Sequence, residues 1–273
     1  MLTSALSQRY SDMVDAKTRD ALVLKDGVIF NNRYEGDAKA GAVKVRKSGA
    51  ATVADYNKTS GVSLTAGTSE WITVEVNKDK AINEIVDGFD AAAIPDGVIA
   101  DRLDESGYAM ARQVDLDGAA ELVAHGTTLE DTTALTASSI YGKVVDAHTA
   151  LTKAGVPADG RYLLVSPDAY ALILKAPEFI KGSDLGDAVV QTGAVGKIAG
   201  MLVFESNNLG SGVEFVAGHP NYATRVNEWA YPIQVVDLSG DASYIGASAI
   251  KGRKVYAHKV TNPDCILVKT RNF

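Results

Sequence analysis

The spacing of apolar residues changes several times along the chain, and each change marks an element. Glu70-Trp71-Ile72-Thr73-Val74-Glu75-Val76 alternates with period two, which predicts a strand with one face turned to a packed surface. Val43-Lys44-Val45-Arg46 and Ala51-Thr52-Val53-Ala54-Asp55 are weaker strands of the same texture, punctuated by Gly36, Gly41, Gly49, Gly61 and Gly67. Such a stretch cannot bury a core of its own, because a lone hairpin is at best marginally stable. Two readings stand: a long surface loop, or an extended hairpin packed on a neighbouring subunit.

Residues 94–125 switch to helical spacing. Ile99, Leu103, Met110 and Val114 fall near one stripe, with Asp101, Asp104, Glu105, Arg112 and Asp115 mostly off it. Pro95 suits the first helical position and Gly126 the position past the end. About 30 residues at ~1.5 Å each make a helix of roughly 45 Å. Gly107 and Gly118 inside it are either packing contacts or bends. Before all this, Arg9 to Leu24 has weak helical periodicity and reads as an arm that needs another chain or domain to order it.

After a boundary at Thr127–Thr133, Ile140, Val144, Ala147 and Leu151 predict a helix stopped by Gly155 and Pro157. Arg161 to Val165 reads as a buried strand, and Ser166-Pro167 as the N-cap and first residue of a helix reaching about Lys175. Met201–Phe204, Val213–Val216, Tyr231–Val236, Arg253–Val260 and Cys265–Val268 read as further strands. Helices and strands mix without a βαβ rhythm, so the fold class is α+β.

Composition narrows the function. With 273 residues, 46% of them hydrophobic, the chain can build one or two real cores. Its net charge of −7 argues against a general nucleic-acid binder. The distribution says more than the sum. Asn83 to Thr132 carries 12 acidic and 2 basic residues, whereas Arg33 to Ala81 carries 8 basic and 6 acidic. The N-terminus has no signal-peptide pattern, and no stretch nears the roughly 18 apolar residues of a membrane helix, so a soluble protein is expected.

Catalytic and ligand motifs are missing. Gly196-Lys197 is followed by Ile198 and has Gln191 where a phosphate loop needs glycine. His125, His148, His219 and His258 lie far apart and read as surface or capping residues. Cys265, the only cysteine, sits in an apolar run and reads as a small core residue. Ser248 and Lys251 have a serine–lysine spacing without its usual companions. Asp101, Asp104 and Glu105 are a solvated helix face more readily than a cation site. Lys44, Arg46 and Lys47 form the best basic cluster, too small to argue for nucleic acid. No catalytic, cofactor or metal residue is therefore assigned.

The order of segments resembles the major capsid protein of tailed bacteriophages, with the Hong Kong ninety-seven-like capsid fold. The resemblance covers essentially the whole chain. Gly41-Ala42-Val43-Lys44-Val45, Thr52 to Tyr56, Asn77 to Ile85, and Ala93-Ile94-Pro95-Asp96 leading into Ala100-Asp101-Arg102-Leu103 are similar to the subgroup common in phages of Gram-positive hosts. Val165-Ser166-Pro167, Gly193 to Gly200 and Phe204 to Leu209 resemble its axial-domain pattern.

The resemblance implies a layout: an N-terminal arm at 1–34, an extended loop at 35–82, a peripheral domain of 83–134 and 236–273, and an axial domain at 135–235. It implies hexamers and pentamers closing into an icosahedral shell around double-stranded DNA, with no sequence-specific grip on it. The expected location is the virion, after assembly in the host cytoplasm. Expected partners are a separate scaffolding protein, a portal protein and decoration proteins, since no long scaffolding segment precedes the arm. No cross-link is expected. The expected contact residues between subunits are Lys44, Arg46, Lys47, Trp71, Ile72 and Val74 of the loop against Asp101, Asp104 and Glu105 of a neighbour. The alternatives are an encapsulin-like nanocompartment shell and, further off, a soluble α+β enzyme.

Overall fold

The computed structural model describes residues 23–36, 41–48, 53–63, 66–88, 98–177, 196–238, 240 and 243–271. The arm helix expected before Val23 and the helix start expected at 94–97 lie outside them. In chain order the elements are β1 (Ala42–Ser48), β2 (Ser69–Glu75), β3 (Lys78–Val86), α1 (Val98–His125), β4 (Thr127–Thr128), α2 (Ile140–Lys153), β5 (Tyr162–Val165), α3 (Pro167–Leu174), β6 (Lys197–Ile198), β7 (Met201–Glu205), β8 (Val213–Gly218), β9 (Ala223–Asp237), β10 (Ser248–Val260) and β11 (Ile266–Thr270). They form a two-stranded ribbon β1-β2, a three-stranded sheet β3-β10-β9, and a mixed six-stranded sheet β4-β11-β8-β5-β7-β6.

The six-stranded sheet is covered on both faces, and strand alternation decides what covers each. Leu163, Val165, Phe215, Ala217 and Leu267 face α2 and α3, meeting Ile140, Val144, Ala147, Leu151, Ala169 and Ile173. Tyr162, Leu164, Val216, Ile266 and Val268 face the other way, against Ala119 and Leu122 of α1 and against Leu24, Ile29 and Phe30. Each such Leu, Ile or Phe contributes roughly 1.5–3 kcal/mol by leaving water. The end of α2 has its own device. Buried Arg161 donates from Nε to the Pro157 carbonyl at 2.8 Å and from Nη1 to Thr152 Oγ1 at 3.0 Å, just past the helix C-terminus.

Helix α1 joins the two main sheets. Near its start, Leu103 and Met110 pack with Val86, Ile233 and Ile250 of the three-stranded sheet. Near its end, Ala119 and Leu122 reach the six-stranded sheet. Its 28 residues span about 42 Å at ~1.5 Å each. Gly118 is a packing contact: a Cβ there would lie 3.1 Å from Phe30 Cε2 and 3.3 Å from His258 Nε2.

Three expectations need correction. Val53 to Asp55 are not strand, and Val53 is almost fully exposed. Asp115 does not lie on the polar face; it is 1% exposed. His258 is neither a surface nor a capping residue, because it is buried and accepts a hydrogen bond from Arg225 Nε at 2.9 Å. His219 does cap: its ring accepts from Asn221 N at 3.1 Å. Cys265 is a core residue, 2% exposed.

Candidate assembly surfaces

The β1–β2 ribbon stands on the three-stranded sheet by one of its faces. Val43 and Val74 pack with Val226 of β9 and Ala257 of β10, with Val45 and Tyr34 partly buried beside them. The ribbon is also stitched to the segment that precedes it, by Glu35 N to the Lys44 carbonyl at 2.8 Å and Lys44 N to the Glu35 carbonyl at 2.9 Å.

The register sorts the six loop residues singled out above. Lys44 pairs with Thr73, and Arg46 with Trp71, so Lys44, Arg46 and Trp71 share the outward face. Trp71 is 46% exposed there. Lys47 pairs with Glu70 on the opposite face, together with Val45 and Ile72. The pleat therefore splits the basic cluster two and one. Lys44, Arg46 and Lys47 make no ion pair among the described residues. Val74, 2% exposed, is spent inside its own subunit.

The acidic residues lie in the first turns of α1. Asp101 and Glu105 are exposed, and Asp104 is half-buried. Asp101 stands in the first turn, where the helix dipole favours a negative charge. Arg102 beside them is engaged with Glu84 of β3 at 2.8 Å.

A second constellation had no sequence signal. The Asp115 carboxylate accepts from Val23 N at 2.7 Å and from Leu24 N at 3.3 Å. Arg225 of β9, 1% exposed, lies 3.9 Å from Asp115 and 3.1 Å from Asp26. Its guanidinium also sits over the Phe30 ring at 4.9 Å. Burial, opposed by the hydrogen bond from Val23 and by Arg225, raises the Asp115 carboxyl above its ordinary value. Burial, aided by Arg225, pushes His258 down to about 2, so its ring is neutral. Next to it, Tyr256 donates to Asp117 at 2.7 Å. Helix α1 thus holds the backbone at Val23 and Leu24 and the long strands β9 and β10 through polar side chains on one side.

The crossover from α1 to α2 is fastened likewise. Lys269 of β11, fully buried, donates to the carbonyls of Asp131 and of Thr133, the latter at 2.8 Å. Glu214 of β8 accepts from Leu135 N at 2.8 Å. The Asp131 carboxylate meets Lys143 of α2 at 2.8 Å.

This architecture has close counterparts. A structure from Mycobacterium phage Che8 matches with TM-score 0.72 and 26% identity, covering 88% of each chain. The capsid structure of cyanophage P-SCSP1u matches with TM-score 0.72 and 15% identity, over 89% of this chain and 86% of that one. A structure from Gordonia phage Cozz matches with TM-score 0.68 and 13% identity, over 94% and 86%. No curated protein matches in sequence. The family model described as phage capsid protein matches residues 88–269. The chain therefore belongs to the phage capsid protein family, as a tailed-phage major capsid protein with the Hong Kong ninety-seven-like fold.

Proposed function

We propose that copies of this subunit gather as hexamers and pentamers and close into an icosahedral shell around a double-stranded DNA genome. In this reading residues 1–34 are the arm, 35–82 the extended loop, 83–134 and 236–273 the peripheral domain, and 135–235 the axial domain. A separate scaffolding protein, a portal protein and decoration proteins are the expected partners, and assembly takes place in the host cytoplasm.

The observation that carries the contact proposal is the outward face of the β1–β2 ribbon. Lys44, Arg46 and Trp71 stand side by side there, two charges and a half-exposed indole with no ion pair to their own subunit among the described residues. We assign that face to the acidic start of α1 on an adjacent subunit, at Asp101, Asp104 and Glu105; Lys47 and Ile72 lie on the opposite face and are left out of the contact. Val74 is left out because its own subunit buries it. Charge complementarity of this kind fixes register more than it adds affinity. The test is charge reversal: Lys44 and Arg46 both changed to Glu leaves a folded subunit that forms no particles. Normal particles from that variant end the contact proposal.

A nanocompartment shell is the second reading, since the virus-like particle from Pyrococcus furiosus shares the fold with TM-score 0.58 and 13% identity. Particle size and cargo separate the two, because a phage shell must be large enough for a genome.

A further inference from the structure

The polar hub between α1, β9 and β10 leaves one donor over. Arg225 donates from Nε to His258 Nε2 at 2.9 Å and from Nη1 to Asp26 Oδ1 at 3.1 Å. Its remaining nitrogen, Nη2, is buried and has no hydrogen-bond partner among the described residues. Asp115 Oδ1 stands 3.9 Å from it, beyond hydrogen-bonding reach. An arginine keeps its charge at any working pH, and a buried guanidinium N–H without an acceptor costs free energy.

Asp115 stops short because its oxygens are used elsewhere. Oδ2 accepts from Val23 N at 2.7 Å, and Leu24 N lies 3.3 Å from Oδ1 and 3.4 Å from Oδ2. The same short segment supplies Asp26 to Arg225. Residues 23–26 therefore hold both members of a buried ion pair and keep them apart.

The segment has a fixed end and a turning point. Ile29 and Phe30 are fully buried. Asn31 is bonded to β9 on both sides, from its N to the Ala223 carbonyl at 2.8 Å and to its carbonyl from Arg225 N at 2.7 Å. Gly27 lies between, at φ +81°, a region that glycine enters freely. On its far side Leu24 is fully buried, Val23 is partly buried, and Lys25 and Asp26 are exposed.

We infer that Asp115 is a two-position switch. With residues 23–26 docked, it holds the Val23 and Leu24 amides. When they lift about Gly27, it closes the 3.9 Å gap onto Arg225 Nη2. Either position leaves both buried charges partnered, so the segment leaves and returns while the body of the subunit stays folded. Burial of Leu24 favours the docked position. The inference concerns the single subunit and does not rest on the shell.

The test is the full-length Val23→Pro variant, which deletes the 2.7 Å donor and keeps Asp26, Asp115 and Arg225. Its crystal structure is expected to show Asp115 within about 3.0 Å of Arg225 Nη2, the length of a charge-assisted bond. Amide hydrogen exchange at Leu24 speeds up at least tenfold over wild type, while that of Val216 in the middle of the six-stranded sheet is unchanged. A gap that stays near 3.9 Å with Asp115 still on Leu24 N overturns the switch, as does exchange at Leu24 and Val216 speeding up together. A second measurement needs no variant. In the wild-type protein, exchange at Val23 and Leu24 is expected to depend only weakly on urea, as local opening does, whereas that of Val216 depends on it steeply. Equal urea dependence at the three amides means that the segment leaves only when the whole subunit unfolds, and overturns the inference.

Discussion

Asp115 in the middle of α1 and Arg225 on β9 lie 3.9 Å apart, each only 1% exposed, and the backbone of Val23 and Leu24 hangs from the same carboxylate. One side chain thus shares with Asp26 the neutralising of a buried guanidinium and fixes the backbone at Val23 and Leu24. Asp115→Ala is expected to cost about 1–3 kcal/mol, because the Val23 and Leu24 amides lose their acceptor while Arg225 keeps Asp26 at 3.1 Å. Asp115→Asn, which keeps an acceptor, costs less. Urea unfolding of the subunit checks both, and a loss below about 1 kcal/mol for the Ala variant contradicts the account.

His258 gives the subunit an acid sensitivity of known sign. Its folded value, pushed down to about 2, lies below the ordinary 6.5, so the unfolded chain binds the extra proton between those limits. Stability is full above pH 6.5 and falls on acidification by up to ~1.4 kcal/mol per pH unit. The raised Asp115 works the other way above 3.8, so the wild-type slope is read against that of a variant that keeps Asp115. His258→Gln keeps an acceptor for Arg225 and flattens that slope in thermal melts; an unchanged slope contradicts the assignment.

The Asp131–Lys143 pair has a window with two edges. The hydrogen bond from Lys143, then those from Thr133, hold the Asp131 carboxyl far below its ordinary 3.8, and Asp131 in turn raises Lys143 above 10.5. The contribution of Asp131 is fully present above pH 3.8 and is lost as pH falls toward its folded value. That of Lys143 is lost as pH rises through its folded value. The melting temperature of wild type minus that of Lys143→Met is therefore expected to be positive and flat from pH 5 to 9, and to shrink below pH 4. A difference that grows in acid is the opposing result.

Gly118 leaves room for Phe30, so Gly118→Val is expected to destabilise by about 1–3 kcal/mol through overpacking. Particles that tolerate this variant with an unchanged melting temperature would argue against the packing role.

Trp71 is the side chain whose loss best separates folding from assembly. It is half exposed on the outer ribbon face, opposite Arg46. Trp71→Ala is expected to move subunit stability by less than about 1 kcal/mol while reducing particle yield at least tenfold in sedimentation. Equal loss of both makes Trp71 a folding residue.

How much of this the sequence disclosed depends on whether a pattern is local. The four apolar positions of α2, Ile140, Val144, Ala147 and Leu151, are all buried, and Ser166-Pro167 caps α3 as its local chemistry requires. Strand β3, Lys78 to Val86, lacks an unbroken apolar run; Lys78, Asp79, Lys80, Asn83 and Glu84 hide it, and its pairing with β10 over 160 residues away makes it a strand. Strand β9 showed only its Tyr231–Val236 half, because Arg225 and Asn227 interrupt the pattern. The hub at Asp115 could not be read at all: its partners Val23 and Arg225 lie about ninety residues before it and more than a hundred after it. Pairings across such separations follow from the tertiary fold, not from spacing. For the ribbon, sequence found the residues but not their sides; only the register separates Lys47 from Lys44 and Arg46.

The central claim is that this chain is a shell subunit, and electron microscopy of the expressed protein, with and without the scaffolding protein of its phage, tests it most directly. The account predicts closed icosahedral particles of genome-holding size when the scaffold is present, built of hexamers and pentamers. A stable monomer under both conditions, with no particle of any size, would contradict it.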